Sequence, residues 1–387
     1  MRIEITMKKL AIIGASYFQE PLITRAKELG YETHVFAWAC GDIGEKIADF
    51  FYPISIVEKE EILKKCEEIG IDGICSIASD LAMITVNYVA EKMGLISNSP
   101  LCTKVSTNKH FMRECFEKNG DSSPKSIKVS NVRDLEGIQL DYPIIVKPLD
   151  RSGSRGITKL SSSEGLERAI ENAKQQGFEK AALVEEFATG KEYSVEYISW
   201  KGKHTFLALT QKYTTGAPRF IETGHMEPAM VDERTLNDVK SVVEHALTSL
   251  GIEYGASHSE LKISAEGKIK LIEIGGRMGG DFIGSTLVKL STGVDFVEQV
   301  IRVSMNEEPI IEKVKNRVAV VRFIFSEEDL NVLRKVEKEH PEFIYSKEVH
   351  EITDEEVVDS STRFGYFLMV ADKREDLEKY LPEQVED

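Results

Sequence analysis

The sequence predicts an α/β unit at the start of the chain, α+β structure after it, and a small β-containing unit at the end. Two patterns carry this. Apolar strands alternate with amphipathic helices over about residues 8–100, the signature of a parallel sheet covered on both faces. From Glu192 onward strands dominate, and among them is a hairpin over 261–274 that turns at Glu266-Gly267.

The elements follow in order. Residues 8–13 form an apolar strand, a helix runs from about 21 to 29, and Gly30 stops it before a strand at 32–36. Residues 54–57 read as a strand, Lys59–Ile69 as an amphipathic helix, 73–77 as a strand and 81–93 as a helix. One helix is expected over 104–119, ended by Gly120. Strands near 127–129, 143–147, 156–159 and 181–184, with a helix near 163–176, make a small α+β unit. Strands follow at 193–199 and 205–212, and helices at Glu233–Leu250 and 294–305. The tail offers strands at 318–325 and 364–370 with a helix between them.

Composition narrows the function. The 387 residues suffice for two or three domains, and the net charge of −16 argues against non-specific nucleic-acid binding and anionic membranes. A nucleotide ligand remains open, because a few cations can be concentrated locally. Cys40, Cys66, Cys75, Cys102 and Cys115 form no C-x-x-C pair and lie among apolar residues. They read as reduced, mostly buried thiols of a cytoplasmic protein rather than zinc ligands or disulfides. No apolar run reaches the roughly 20 residues of a membrane span, and 10–13 is too short for a signal peptide.

The chemistry concentrates in a few segments. Glu260 precedes the first hairpin strand and Glu273 lies in the second, so the hairpin sets two carboxylates side by side. Such a pair needs a cation between its members or a shared proton, and Mg²⁺ with nucleotide phosphates fits. Upstream, an apolar strand ends in Lys147 and leads into Asp150-Arg151-Ser152-Gly153-Ser154-Arg155-Gly156, a flexible loop rich in phosphate donors. It lacks G-x-x-x-x-G-K-[ST] and is not a P-loop; a plain polar turn is the alternative. Likewise, Gly14-Ala15-Ser16-Tyr17-Phe18-Gln19 is not G-x-G-x-x-G, so the first unit is not read as dinucleotide-binding; this loop closes a turn, with a substrate contact left open.

Lys109, Ile145-Val146-Lys147-Pro148, the Ser/Gly/Arg loop, Glu185-Glu186-Phe187-Ala188 followed by Gly190-x-Glu192, Glu260, and Glu273-x-x-x-Arg277 stand in an order that resembles the ATP-grasp superfamily over about residues 8–305. The later part, Gly275-Gly276-Arg277-Met278-Gly279-Gly280-Asp281-Phe282, resembles carboxylate–amine ligases of the L-amino-acid ligase type. The resemblance implies a Rossmann-like pre-ATP-grasp domain at 1–103, a two-subdomain ATP-grasp fold at 104–305 with a lid at 121–188, and a C-terminal α+β unit at 306–387.

It also implies roles. Lys109 and Lys147 would contact ATP phosphates, and Ser152, Gly153, Ser154, Arg155 and Gly156 would close over them. Glu185, Glu186, Phe187 and Ala188 would meet adenine, with Glu192 on the ribose. Glu260 and Glu273 would hold Mg²⁺, with Mn²⁺ the alternative ion, and Arg277 would act with Lys147 in catalysis. Glu222, His225, Arg277, Gly279 and Gly280 would face the acyl substrate; structural packing of His225 and an N-cap role for Asp281 are the alternatives. Many members carry Asn two residues after the second glutamate, where this chain has Gly275, which puts the metal count in question.

The implied activity is ATP-dependent joining of a carboxylate and an amine through an acyl-phosphate, releasing ADP and phosphate. The partners would be small molecules, without nucleic acid or membrane, and a homodimer is left open. The alternatives are a purine-biosynthesis-type ligase resembling phosphoribosylglycinamide synthetase, a carbamoyl-phosphate or biotin-carboxylase-like domain, and an ATP-binding module without turnover.

Overall fold

The computed structural model describes residues 7–151, 153 and 155–385. Strands β1 (Lys9–Ile13), β2 (Glu32–Phe36), β3 (Phe50–Tyr52) and β4 (Gly73–Cys75) form a parallel sheet in the order β3-β2-β1-β4. Both of its faces are covered, which is why β1 reads as an unbroken apolar run. Helices Lys59–Ile69 and Asp80–Met93 bury Ile62, Cys66, Val86 and Val89 on one face. On the other, Glu20–Glu28 brings Leu22, Ile23 and Ala26 against Val297, Val300 and Ile301 of the distant helix Phe296–Ser304.

Strands β5 (Ser126–Val129), β6 (Ile144–Pro148), β7 (Thr158–Leu160) and β8 (Ala182–Glu186) form an antiparallel sheet in the order β5-β8-β6-β7. Helix Leu166–Gln176 packs on it through Leu166, Ala169, Ile170 and Ala173. The third sheet is eight-stranded and antiparallel. It contains β9 (Lys191–Trp200), β10 (Lys203–Thr214), β11 (Glu222–Glu227), β12 (Gly255–Ile263), β13 (Ile269–Gly275), β14 (Val318–Phe323), β15 (Ile344–Val349) and β16 (Gly365–Ala371). Their order is β13-β12-β9-β10-β11-β14-β16-β15.

Four expectations change. Residues 54–57 are not a strand: the sheet pairs 50–52 instead, and Ile54 and Ile56 pack into the core from a turn. The single helix over 104–119 is two, Pro100–Thr107 and Lys109–Asn119. Asn108 interrupts them in extended conformation, and its side-chain Oδ1 accepts from the His110 and Phe111 amides as an N-cap. The segment around His225, to which no element was assigned, is a strand, β11, inside the large sheet. The tail strands build no sheet of their own, because β14 pairs with β11 and extends the central sheet.

Cys66, Cys75 and Cys102 are buried, Cys115 is partly covered and Cys40 is exposed. Among the described residues, no helix is long and apolar enough to cross a membrane.

Candidate active site

The three sheets meet around a cavity of about 380 Å³. Its wall includes Lys109, Lys147, Gly153, Arg155, Glu185 to Ala188, Glu192, Glu222, His225, Glu260, Glu273, Arg277 and Gly280, segments far apart in sequence. The lining does not include Gly156 or Gly279. Gly156 turns the loop with φ +72°, and the Gly279 amide donates to Glu196 at 3.0 Å, behind the cavity. Ser152 and Ser154 lie outside the described residues.

The hairpin register sets Glu260 opposite Glu273. Glu260 lies within β12, which begins earlier than the sequence suggested, and a bulge follows it. Each carboxylate has a lysine. Lys109 Nζ donates to Glu273 at 2.7 Å and to the Arg151 carbonyl at 2.7 Å. Lys212 Nζ donates to Glu260 at 2.8 Å and also pairs with Glu192 at 2.8 Å, with Glu222 at 3.7 Å. Burial raises the Glu260 carboxyl, but Lys212 and His258 outweigh it and hold it well below the carboxylate range.

A second cluster surrounds Glu185. Lys147 pairs with it at 2.5 Å and Arg113 Nε at 2.8 Å, all three side chains being buried. Burial raises this carboxyl, and the two cations overcome that and hold it low. Burial also pushes the Lys147 ammonium down; Glu185 opposes this, while Arg113 and Lys109 add like-charge repulsion. Three cations facing Glu185 and Glu273 leave the corner favouring a further anion. Phe187 is flanked by Lys159 and Lys262, 3.8 and 5.0 Å from its ring centre.

Arg277 is gripped by Asp80 through two hydrogen bonds of 2.9 Å. Gly275 is the residue that permits this: a Cβ there would meet Asp80 Oδ1 at 2.5 Å. His258 sits between Glu196 and Glu260. Burial works against its charge, but Glu196 and Glu260 prevail and push its pKa up to about 9.

The far end of the cavity carries Glu222, His225 and Asp281. Arg363, from the tail, donates to Glu222 at 3.2 Å, Asp281 at 2.9 Å and Ser360 at 2.9 Å, with its guanidinium 3.7 Å over the Phe323 ring. Burial, then Lys212 and Arg363, hold His225 well below the usual imidazole value, so it is neutral. Among the described residues neither of its ring nitrogens has a hydrogen-bond partner. Asp281 is not an N-cap. It and Phe282 take positive φ of 46° and 67°, Phe282 leads into a π-helix over Ile283–Leu287 without a side-chain cap, and the Asp281 carboxylate belongs to Arg363.

The sequence reasoning missed Asp80, Arg113, Glu196, Lys212 and Arg363. Only Lys212 had a local signal, since it lies near the end of a strand as Lys147 does. Tyr17 and Phe18, from the first strand-to-helix loop, also reach the cavity.

Among the described residues no group of three or more His, Cys, Asp or Glu is arranged to hold a metal. Two facing carboxylates with nucleotide phosphates are nonetheless a donor set that Mg²⁺ uses, so the residues present fit the ion.

Residues 140–285 match the model of the ATP-grasp domain. The alanine–anticapsin ligase of Bacillus subtilis (strain 168) is 26% identical over 274 residues, covering 62% of this chain and 58% of the relative. The D-alanine–D-alanine ligase of Azobacteroides pseudotrichonymphae genomovar. CFP2 is 26% identical over 191 residues, 45% of this chain and 56% of the relative. The chain thus spans less than two thirds of the length of these relatives. Among solved structures, the L-amino acid ligase of Bacillus licheniformis superposes with a TM-score of 0.82 at 22% identity, covering 96% of this chain and 95% of that one. Phosphoribosylglycinamide synthetase of Anaerococcus prevotii gives 0.76 at 19% identity, with 97% and 96% covered. Residues 140–285 thus match the ATP-grasp domain, and the chain as a whole has the fold of the L-amino acid ligase and phosphoribosylglycinamide synthetase structures.

Proposed function

We propose that this protein is an ATP-dependent ligase that joins a small carboxylic acid to an amine, amino acids being the substrate class, and releases ADP and phosphate. The observation that carries this is the pairing of Glu260 with Glu273 beneath Lys109, Lys147 and Arg277 in one cavity. A carboxylate offers no leaving group to an attacking amine. Phosphorylation by ATP supplies one, and neutralising the transferring phosphoryl is the main demand of that step.

In this reading Lys109 and Lys147 hold phosphate oxygens, and the backbone of Glu186 to Ala188 meets adenine, with Glu192 on the ribose. Mg²⁺ held by Glu260 and Glu273 supplies positive charge against the phosphates. Arg277, aimed by Asp80, faces the transferring phosphoryl. Gly153 and Arg155, on the cavity wall, cover the reacting end and keep water from the acyl-phosphate. Residues 121–188 are the moving lid of a domain over 104–305. Glu222 and His225 face the acid, consistent with His225's two unpartnered nitrogens. The L-amino acid ligase and alanine–anticapsin ligase likenesses favour amino acids over phosphoribosyl substrates.

The test is ADP and phosphate release from Mg-ATP across amino-acid pairs, with bicarbonate and with phosphoribosylamine plus glycine as controls. Turnover requiring two amino acids is the expected result. Turnover only in a control, or release of AMP, overturns the reading. Glu273→Gln is expected to lower kcat by about 10²–10³-fold, the size seen when one transition-state charge contact is lost.

A further inference from the structure

A second cavity, of about 870 Å³, adjoins the first. Lys109, Arg151, Arg155 and Glu273 line both. Asp80 lines only the second and Arg277 only the first, so their ion pair stands at the partition. The second cavity runs away between the first unit and the lid. Its wall is largely apolar: Leu81, Ile84 and Tyr88 from helix Asp80–Met93, Pro100 and Phe111 from the two helices after it, and Phe178 from the lid. Ile84 and Phe178 are large apolar side chains left exposed on opposite sides of this space.

Resting on the ligase reading, we propose that this cavity binds the amine substrate, and that the amine carries a large apolar body. A nucleotide against residues 185–188 and an acid against Glu222 and His225 occupy the first cavity. The volume of the second lies within the range of small-molecule sites.

The junction chemistry points the same way. Its carboxylates are engaged, Asp80 by Arg277 and Glu273 by Lys109, whose place Mg²⁺ would take in the loaded enzyme. Nearby cations disfavour an ammonium and favour the neutral amine, which is the nucleophile. Affinity then comes from the apolar wall rather than from charge. The ammonium gives one proton to solvent on entry. The nitrogen lone pair attacks the acyl carbon, the C–N bond forms and the C–O bond to phosphate breaks. Phosphate leaves with that bond's electron pair and takes the second proton that nitrogen sheds.

The experiment uses Ile84→Trp, which fills the cavity from an exposed helix position one turn beyond Asp80. With Mg-ATP and the acid that supports ADP formation, two nucleophiles are compared: L-phenylalanine, and hydroxylamine, which is small enough to bypass the cavity. The wild type is expected to form hydroxamate, and to have a lower KM for phenylalanine than for glycine. In Ile84→Trp the KM for phenylalanine is expected to rise about tenfold or more, with hydroxamate formation within about twofold of wild type. An unchanged phenylalanine KM, or an equal fall in both reactions, overturns the proposal while leaving the ligase reading intact. Absence of hydroxamate in the wild type removes the ligase reading, and the proposal with it.

Discussion

Glu227 is wholly buried in β11, where Thr210 and Ser291 donate to its two oxygens at 2.8 and 2.6 Å. Burial dominates, and its pKa is pushed up to about 8 from an ordinary value of 4.5. Between those two values the folded protein holds a proton that the unfolded chain has released. Stability therefore falls as pH rises from about 4.5 to about 8, since the native state binds the extra proton. Glu227→Gln keeps the shape and removes the titration. The melting temperature of the wild type is expected to decline across that window relative to the variant; parallel curves would show that Glu227 does not titrate there. The same burial argument explains why cations accompany carboxylates in pairs at the site, because removing one partner of a buried pair strands the other. Arg113 with Glu185 and Asp80 with Arg277 are such pairs.

The hairpin of β12 and β13 is the element on which the site depends, and β9 holds it to the rest of the sheet. Where β8 hands over to β9, Gly190 has φ +115°, and a Cβ there would meet the Ile263 carbonyl oxygen at 2.2 Å. Neither strain nor space admits a side chain. Gly190→Ala is therefore expected to destabilise the fold by about 1–3 kcal/mol, the range for a residue forced into a sparsely populated backbone region, and to lower activity by moving β12. Denaturant unfolding beside an ADP-release assay checks both, and an unperturbed variant would show that the close approach is not constraining.

Elements of this kind were legible because their signals are local. The Glu266-Gly267 turn, apolar alternation and spacing from Glu260 to Glu273 lie within a few residues of one another. The partners were not legible. Arg113 and Glu185 are 72 residues apart, Arg363 and Glu222 are 141, and Asp80 and Arg277 are 197. Nothing in a local pattern fixes how separate units dock. β11 was missed for another reason: Glu222, His225 and Glu227 are poor strand formers, and burial in the middle of an eight-stranded sheet overrides their preference.

At the scale of the molecule, all three sheets and the tail contribute to one centre. The helix after β4 of the parallel sheet delivers Asp80, which holds Arg277, the four-stranded antiparallel sheet delivers Lys147 and Glu185, the central sheet Glu260 and Glu273, and the tail Arg363. The tail is thus built into the far end of the cavity, because Arg363 bridges Glu222 to Asp281, and Asp281 holds a left-handed backbone conformation beside it. Without that cation the two carboxylates face each other in a buried site, where like charges repel strongly. Their geometry then relaxes, while the corner at Lys147 and Glu185, on another sheet, keeps its own pairs. Arg363→Ala is expected to raise the KM for the acid by about 10–100-fold, equivalent to roughly 1.4–2.8 kcal/mol, with ATP affinity within about twofold. Arg363→Lys is expected to recover only part of this: all three hydrogen bonds come from Nη2, which an ammonium could replace, but the stacking of the guanidinium plane over Phe323 is lost. Steady-state kinetics with acid and ATP varied separately distinguish the outcomes. Equal losses for acid and ATP would mean that the tail supports the fold as a whole rather than the acid end of the site.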